Sequence, residues 1–79
     1  MREKVSKKEK FILDYIAENG PSFGLDMVVN SDRLLKRGVV YVTLGRMEEK
    51  GLIAHRPDGV GEVIRRMYFL TEEGKRLTI

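Results

Sequence analysis

Residues 38–53 read GVVYVTLGRMEEKGLI, and the way this stretch folds decides how the rest of the chain is understood. At about 100° of rotation per residue, Val40, Leu44 and Met47 share one side of a helix, with Tyr41 at its edge. Val39, Val42, Thr43, Arg46 and Lys50 share the other side. A helix that only covered a core would turn a uniformly charged face outward, whereas this one mixes small apolar, hydroxyl and cationic groups. Such a face suits the major groove of duplex DNA. There a thymine methyl accepts apolar contact, phosphates accept cations, and a base edge bonds a hydroxyl or a guanidinium. The competing reading is an amphipathic core helix with a few exposed valines.

The helix is expected from Val39 to Lys50, with Gly51 as its C-terminal glycine cap. Lys36 and Arg37 stand just before it, and the free backbone amides of a helix start add a positive field. That junction is therefore a candidate phosphate site.

Upstream, Ser6 followed by Glu9 has capping-box spacing, with Val5 able to staple back, so a first helix is predicted from near Ser6. Ile12, Tyr15 and Ile16 with Val5 form its central stripe, and Phe11 and Leu13 flank it on opposite sides. That arc is wider than one small neighbour covers, which makes Phe11 and Leu13 candidate dimer contacts. Asn19-Gly20-Pro21 ends this helix. Ser22 to Val29 reads as a short second helix, with Ser22 as its N-cap and Gly24 lowering its propensity. Asn30-Ser31-Asp32 is turn-like, and Leu34 and Leu35 tuck the connection to Gly38 against the core.

Downstream the period changes. Leu52 to Arg56 predicts a short strand, residues 57–62 a glycine-rich turn, and Val63 to Leu70 the returning strand. Arg56 on one stem and Arg65 with Arg66 on the other are expected to converge near the hairpin tip. Thr71 caps a last short helix through Leu77, with Glu72 and Glu73 at its positive end and Gly74 weakening it.

A chain of 79 residues makes one domain with a small core, and 42% hydrophobic with 34% charged residues are globular proportions. No cysteine is present, so neither disulfides nor thiolate metal sites contribute, and stability rests on packing or association. The N-terminus MREKVSKKEK has the charges of a signal peptide without an apolar run behind them, and no segment is of membrane-spanning length. A cytoplasmic protein is expected, with no membrane partner and no cofactor. Fifteen Lys and Arg against twelve Asp and Glu give a net charge of +3, a weak pointer to a polyanion by itself. The grouping of cations at 2–10, at 33–37 and at Arg56, Arg65 and Arg66 points more strongly.

The expected class is mainly α with a small antiparallel β-hairpin, in the order helix-helix-helix-strand-strand-helix, the layout of a winged helix-turn-helix domain over residues 1–79. The residues also resemble the DNA-binding domain of the PadR family of transcriptional regulators. The resemblance lies in Gly38, Tyr41, Leu44, Arg46, Met47, Glu48, Gly51, Leu52 and Ile53, then in Arg66, Tyr68, Leu70, Thr71, Glu73 and Gly74, with SFGLDMV similar to the family's second helix. It implies that the third helix enters the major groove and that the hairpin wing touches backbone or minor groove. Val39, Val42, Thr43 and Arg46 would then face the groove, with Lys36, Arg37, Lys50, Arg56, Arg65 and Arg66 as further DNA contacts. Tyr41 takes the family tyrosine's place near the duplex or a core-edge role, and Arg46 either reads DNA or braces the wing through a carboxylate. Val39 and Val42 stand where the family often has threonine and proline. Family members usually continue into C-terminal helices that build a dimer and, in some, an effector pocket. This chain ends at Ile79, which leaves three alternatives open, a homodimer through the first or last helix, a monomer, or a minimal form of the family, and makes a small-molecule effector doubtful.

The functional expectation is a sequence-specific DNA-binding regulator acting as a repressor, against the alternative of a winged helix that contacts proteins. No enzyme is expected: the single histidine, His55, has no metal-ligating neighbour in the sequence and reads as a buried or wing-packed imidazole.

Overall fold

Ser6 and Glu9 cap the first helix reciprocally: the Glu9 N–H donates to Ser6 Oγ at 3.2 Å, and the Ser6 N–H donates to Glu9 Oε1 at 2.8 Å. In the computed structural model, which describes residues 5–60 and 63–78, this helix (α1) runs over Lys7–Asn19. It ends at Gly20, whose φ of 79° suits glycine and whose N–H donates to the Ile16 carbonyl at 2.7 Å. Arg2 and Lys4 of the basic start lie outside the described residues.

The helix expected over Ser22 to Val29 is shorter, and Ser22 is not its cap. Ser22–Phe23 form a strand (β1), and the second helix (α2) covers Gly24–Val29. The Ser22 hydroxyl donates back to the Gly20 carbonyl at 2.8 Å, and its backbone pairs with Tyr68. Between α2 and the next helix, Ser31 is buried. Its hydroxyl donates to the Val28 carbonyl at 2.9 Å and accepts the Leu35 N–H at 3.0 Å, which fixes the turn.

The third helix (α3) spans Arg37–Glu49, starting two residues earlier than the sequence suggests. Its end is as expected. Gly51 sits at φ 77°, its N–H donating to the Glu48 carbonyl at 2.9 Å while the Leu52 N–H reaches the Met47 carbonyl at 3.0 Å. Those two bonds make a Schellman motif, and both flanking side chains, Met47 and Leu52, are buried.

Strands Ile53–Val60 (β2) and Val63–Leu70 (β3) form the hairpin, and β1 adds to its other side in the antiparallel order β1-β3-β2. Pairing runs without interruption from Ile53 opposite Leu70 to Val60 opposite Val63. The turn expected over residues 57–62 is thus strand as far as Val60, and its Gly61 and Glu62 lie outside the described residues. Pro57 is tolerated because β2 is an edge strand, where a missing N–H breaks no second ladder. Thr71 caps the last helix (α4, Glu72–Arg76) by accepting the Gly74 N–H at 3.1 Å. Gly74 does more than weaken this helix, because a Cβ there would run into the Leu52 carbonyl oxygen. Glycine lets α4 sit against the start of β2.

One core joins these elements: Ile12, Leu13 and Ile16 of α1, Met27 of α2, Leu35, Val40, Leu44 and Met47, Leu52 and Ile53, and Tyr68 of β3. Leu13 is only 1% exposed, so it is a core residue and not a dimer contact. The buried arc of α1 is wide because this side is covered from within the chain. Phe11 is half-buried against the same core, its ring centroid 5.9 Å from that of Tyr15. Among the described residues no helix is long and apolar enough to cross a membrane.

Candidate nucleic-acid interface

Alternation along the hairpin decides which side chains accompany α3. Tyr68 and Ile53 are buried on the inward face of the sheet. Residues two apart share a face, so the inward side continues outward through His55 and the Pro57–Arg66 pair to Ile64. Arg66 is therefore directed toward α3. Its hydrogen-bond partner Tyr68 raises its pKa above the usual guanidinium value, and the charges of Glu48 and Tyr41 on α3 act in the same direction. His55 lies at the surface between the hairpin and α3, exposed and not buried, so of the two placements expected from the sequence it takes the wing-side one. Its Nδ1 lies 2.7 Å from Glu48 Oε2, and its ring centroid is 5.5 Å from that of Tyr68.

Arg56 and Arg65 take the outward face. The expected convergence of three arginines at the tip is accordingly corrected. Arg56 stands 5.8 Å from the Phe69 ring centroid, beside a groove lined by Ala17, Pro21 and Lys75 on the far side of the sheet. It does not join α3. Arg65 lies over the Phe23 ring at 3.9 Å from its centroid and still reaches the mouth of a cleft between the hairpin and α3. That cleft is lined by Phe23, Leu25, Tyr41, Ile64, Arg65 and Arg66.

On α3 itself, Val42 is 53% exposed, Tyr41 44% and Val39 40%, and Arg37, Gly38 and Arg46 are exposed with them. Thr43 is not. It is 7% exposed, and its hydroxyl donates to the Val39 carbonyl at 3.4 Å. The expectation that Thr43 faces a groove fails because the start of α1 closes over this flank: Ser6, Lys8 and Glu9 share a cleft with Val39, Val42, Thr43 and Arg46. Lys50 is drawn inward by the same packing and bonds both carboxylate oxygens of buried Glu9 at 3.0 Å, so it is a structural cation. Glu9 answers to opposing influences. Burial alone raises its pKa, but the Ser6 amide, Lys50 and the Ser6 hydroxyl outweigh that and bring it below the ordinary 4.5.

Charge pairing divides the molecule. Lys10 pairs with Asp14, Lys50 with Glu9, Lys75 with Glu72 and Arg76 with Glu73. Among the described residues Lys7, Lys8, Arg33, Lys36, Arg37, Arg46, Arg56, Arg65 and Arg66 are in no ion pair. Lys8, Lys36, Arg37, Arg46, Arg65 and Arg66 border the exposed side of α3 and its cleft, Arg33 stands beside Lys36 and Arg37, Lys7 opens α1 and Arg56 lies across the sheet. Arg46 therefore does not brace the hairpin through any described carboxylate. No described side chain caps the start of α3 beside Lys36 and Arg37. The sequence reading missed Lys8, which only the packing of α1 against α3 brings to this face. It also missed Gly45, which is outward like Gly38: a Cβ at either would meet nothing within 4 Å. No three His, Cys, Asp or Glu among the described residues are grouped to hold a metal ion.

A sequence model described as the transcriptional regulator PadR-like family matches residues 12–78. The chain belongs to the PadR-like family. Its fold is the winged helix, with α2 and α3 as the helix-turn-helix pair and the β2–β3 hairpin as the wing. Among solved structures, a PadR family transcription regulator from Clostridium difficile R20291 is 28% identical with a TM-score of 0.78, over 92% of this chain and 80% of that one. Bacillus subtilis PadR, solved in complex with operator DNA, is 22% identical with a TM-score of 0.83, over 96% of this chain and 46% of that one. This PadR-like chain thus spans about half the length of the B. subtilis protein. Stf76 from the Sulfolobus islandicus plasmid-virus pSSVx is 23% identical with a TM-score of 0.70, over 91% of this chain and 94% of that one. No curated protein matches the sequence.

Proposed function

We propose that this PadR-like chain is a single winged-helix domain that binds duplex DNA sequence-specifically and represses transcription, in the cytoplasm and without catalytic activity of its own. The observation that carries this reading is the separation of charge. Among the described residues, the cations bordering α3 and the wing cleft are in no ion pair and make up six of the nine Lys and Arg that are unpaired, Arg33 stands next to them, and only Lys7 and Arg56 lie elsewhere. Those of the α1 middle, the α3 end and α4 are neutralised within the chain. Unneutralised cations around an exposed helix favour a polyanion, since each phosphate they meet releases condensed counterions.

In this reading Val39, Tyr41, Val42 and Arg46 meet base edges and thymine methyls. Lys36, Arg37 and Lys8 hold phosphates on either side, helped by the uncapped start of α3, and Arg65 and Arg66 hold the backbone beside the wing. The DNA complex of B. subtilis PadR lends support at the level of the fold. Two copies meeting through α4 or the Phe11 edge of α1 would address half-sites about 34 Å apart, one duplex turn.

The exposed valines and Tyr41 favour a second reading, a winged helix that docks on a protein. Titration of the protein with duplexes selected from a random pool, at several salt concentrations, separates the two. DNA binding gives a recovered motif and an affinity that falls steeply with salt; affinity that ignores salt and sequence overturns the DNA reading.

A further inference from the structure

Two consecutive residues, Phe23 and Gly24, touch both banks of the cleft beside the recognition helix. The Phe23 ring carries the Arg65 guanidinium of the wing at 3.9 Å from its centroid, much closer than the 5.8 Å of Arg56 over Phe69. Arg65 makes no ion pair among the described residues, so this stack is the contact that orients it. Phe23 is itself fixed, pairing with Met67 in the sheet while forming the N-cap of α2. Gly24, the first residue of that helix, is buried against α3. A Cβ there would lie 3.0 Å from Tyr41 Cε1, 3.2 Å from Tyr41 Cζ and 3.2 Å from Leu44 Cδ1. The Tyr41 ring therefore rests on bare backbone.

We propose that the Phe23-Gly24 pair positions the DNA-contacting groups of two separate elements. Gly24 seats Tyr41 of α3, Phe23 holds Arg65 of the wing, and their adjacency in the chain sets the distance between the two. The inference rests on the DNA-binding reading above. A long guanidinium on a hairpin otherwise loses rotamer freedom when it docks on a phosphate, and holding it beforehand lowers that cost. The planar guanidinium stacks on a ring in a way an ammonium does not, so Arg65→Lys keeps the charge but loses the stack. Neither Phe23 nor Gly24 needs to touch DNA.

The test is a pair of double-mutant cycles on the whole chain, reading the dissociation constant for a fluorescein-labelled duplex recovered from a random pool, by anisotropy, with thermal unfolding followed in parallel. Phe23→Leu and Arg65→Lys are each expected to weaken binding about three-fold, and the double variant no further than either alone. Phe23→Tyr, which keeps the ring, retains wild-type affinity. The slope of affinity against salt stays unchanged in Arg65→Lys and Phe23→Leu, because no cation is removed. In the second cycle Gly24→Ala weakens binding in the wild-type background and weakens it less once Tyr41 is alanine, where Leu44 is the close neighbour of the new methyl that remains. Arg65 is exposed, so Arg65→Lys reports on binding even if a Phe23 variant is less stable. Multiplicative losses in the first cycle, or unchanged affinity in Arg65→Lys, overturn the positioning role while leaving DNA binding intact. A wild-type chain that binds no duplex overturns the DNA reading first, and this inference with it.

Discussion

Glu9 performs two tasks from one carboxylate, and they can be separated by chemistry. One oxygen closes the capping box on the Ser6 amide, and both oxygens receive Lys50 from the end of α3. Glutamine can still close the box, as it does in many helices, but it cannot hold an ammonium as an ion pair. Glu9→Gln is therefore expected to cost about 1 kcal/mol at neutral pH, from the loss of a charge-assisted bond at a buried acceptor. For a domain of this size that lowers the melting temperature by roughly 5 °C. The pH dependence follows from the direction of the shift. Because the folded pKa of Glu9 lies below the ordinary 4.5, its contribution is complete above 4.5 and disappears as pH falls through the lower folded value. Melting curves of wild type and Glu9→Gln recorded from pH 7 downward should differ most at neutral pH and converge in acid. A gap that persists at low pH would mean that the carboxylate's charge is not what Lys50 answers to.

At the scale of the element, α3 carries features whose reasons lie on opposite sides. Its buried stripe of Val40, Leu44 and Met47 and its Schellman end are written in local spacing, and both were readable from residues 38–53 alone. The fate of Thr43 was not, since it depends on the start of α1, more than thirty residues away in sequence, closing over that flank. The same limit hid β1. Ser22 and Phe23 are extended because Tyr68 and Met67 are there to pair with them, and nothing within the SFGLDMV segment announces that. Hairpin register was hidden for a different reason. With strand continuing to Val60, Arg56 and Arg66 fall on opposite faces, a consequence of period-two geometry that an overlong turn conceals. Gly45 gives α3 a prediction of its own. It lies inside the helix with open space around it, so it brings the usual glycine penalty without a packing return within the chain. Gly45→Ala should stabilise the fold by about 0.5–1 kcal/mol in denaturant titration. If the outward side of α3 enters a groove, the added methyl stands between helix backbone and bases, and the same variant binds its duplex more weakly. Stability and affinity moving together would show that this part of the helix stays clear of the DNA.

For the whole molecule, the charge map makes a sharper statement than the net charge of +3. The three wing arginines are close in sequence but differ in surroundings: Arg66 faces α3 beside Tyr68, Arg65 stands at the cleft mouth over Phe23, and Arg56 lies over Phe69 across the sheet. If the cleft side meets the duplex, removing each cation has a different electrostatic consequence. Taking away a cation that neutralises one phosphate reduces the slope of log affinity against log salt by about 0.9. Arg66→Ala should therefore lower affinity for all duplexes alike and flatten the salt dependence by about that amount. Replacing Arg65 and Arg66 together should flatten it by about twice as much, whereas Arg56→Ala should leave the slope where it was. Arg46→Ala differs in kind: it sits against exposed Val39 and Val42 on the helix, so its removal should change the ranking of duplexes as well as the slope. Measured on one selected duplex and one scrambled control over a range of salt concentrations, the variants form an ordered series. An Arg56→Ala effect as large as that of Arg66→Ala would mean the duplex lies across the outer face of the sheet, and the side assigned to DNA would have to be reversed.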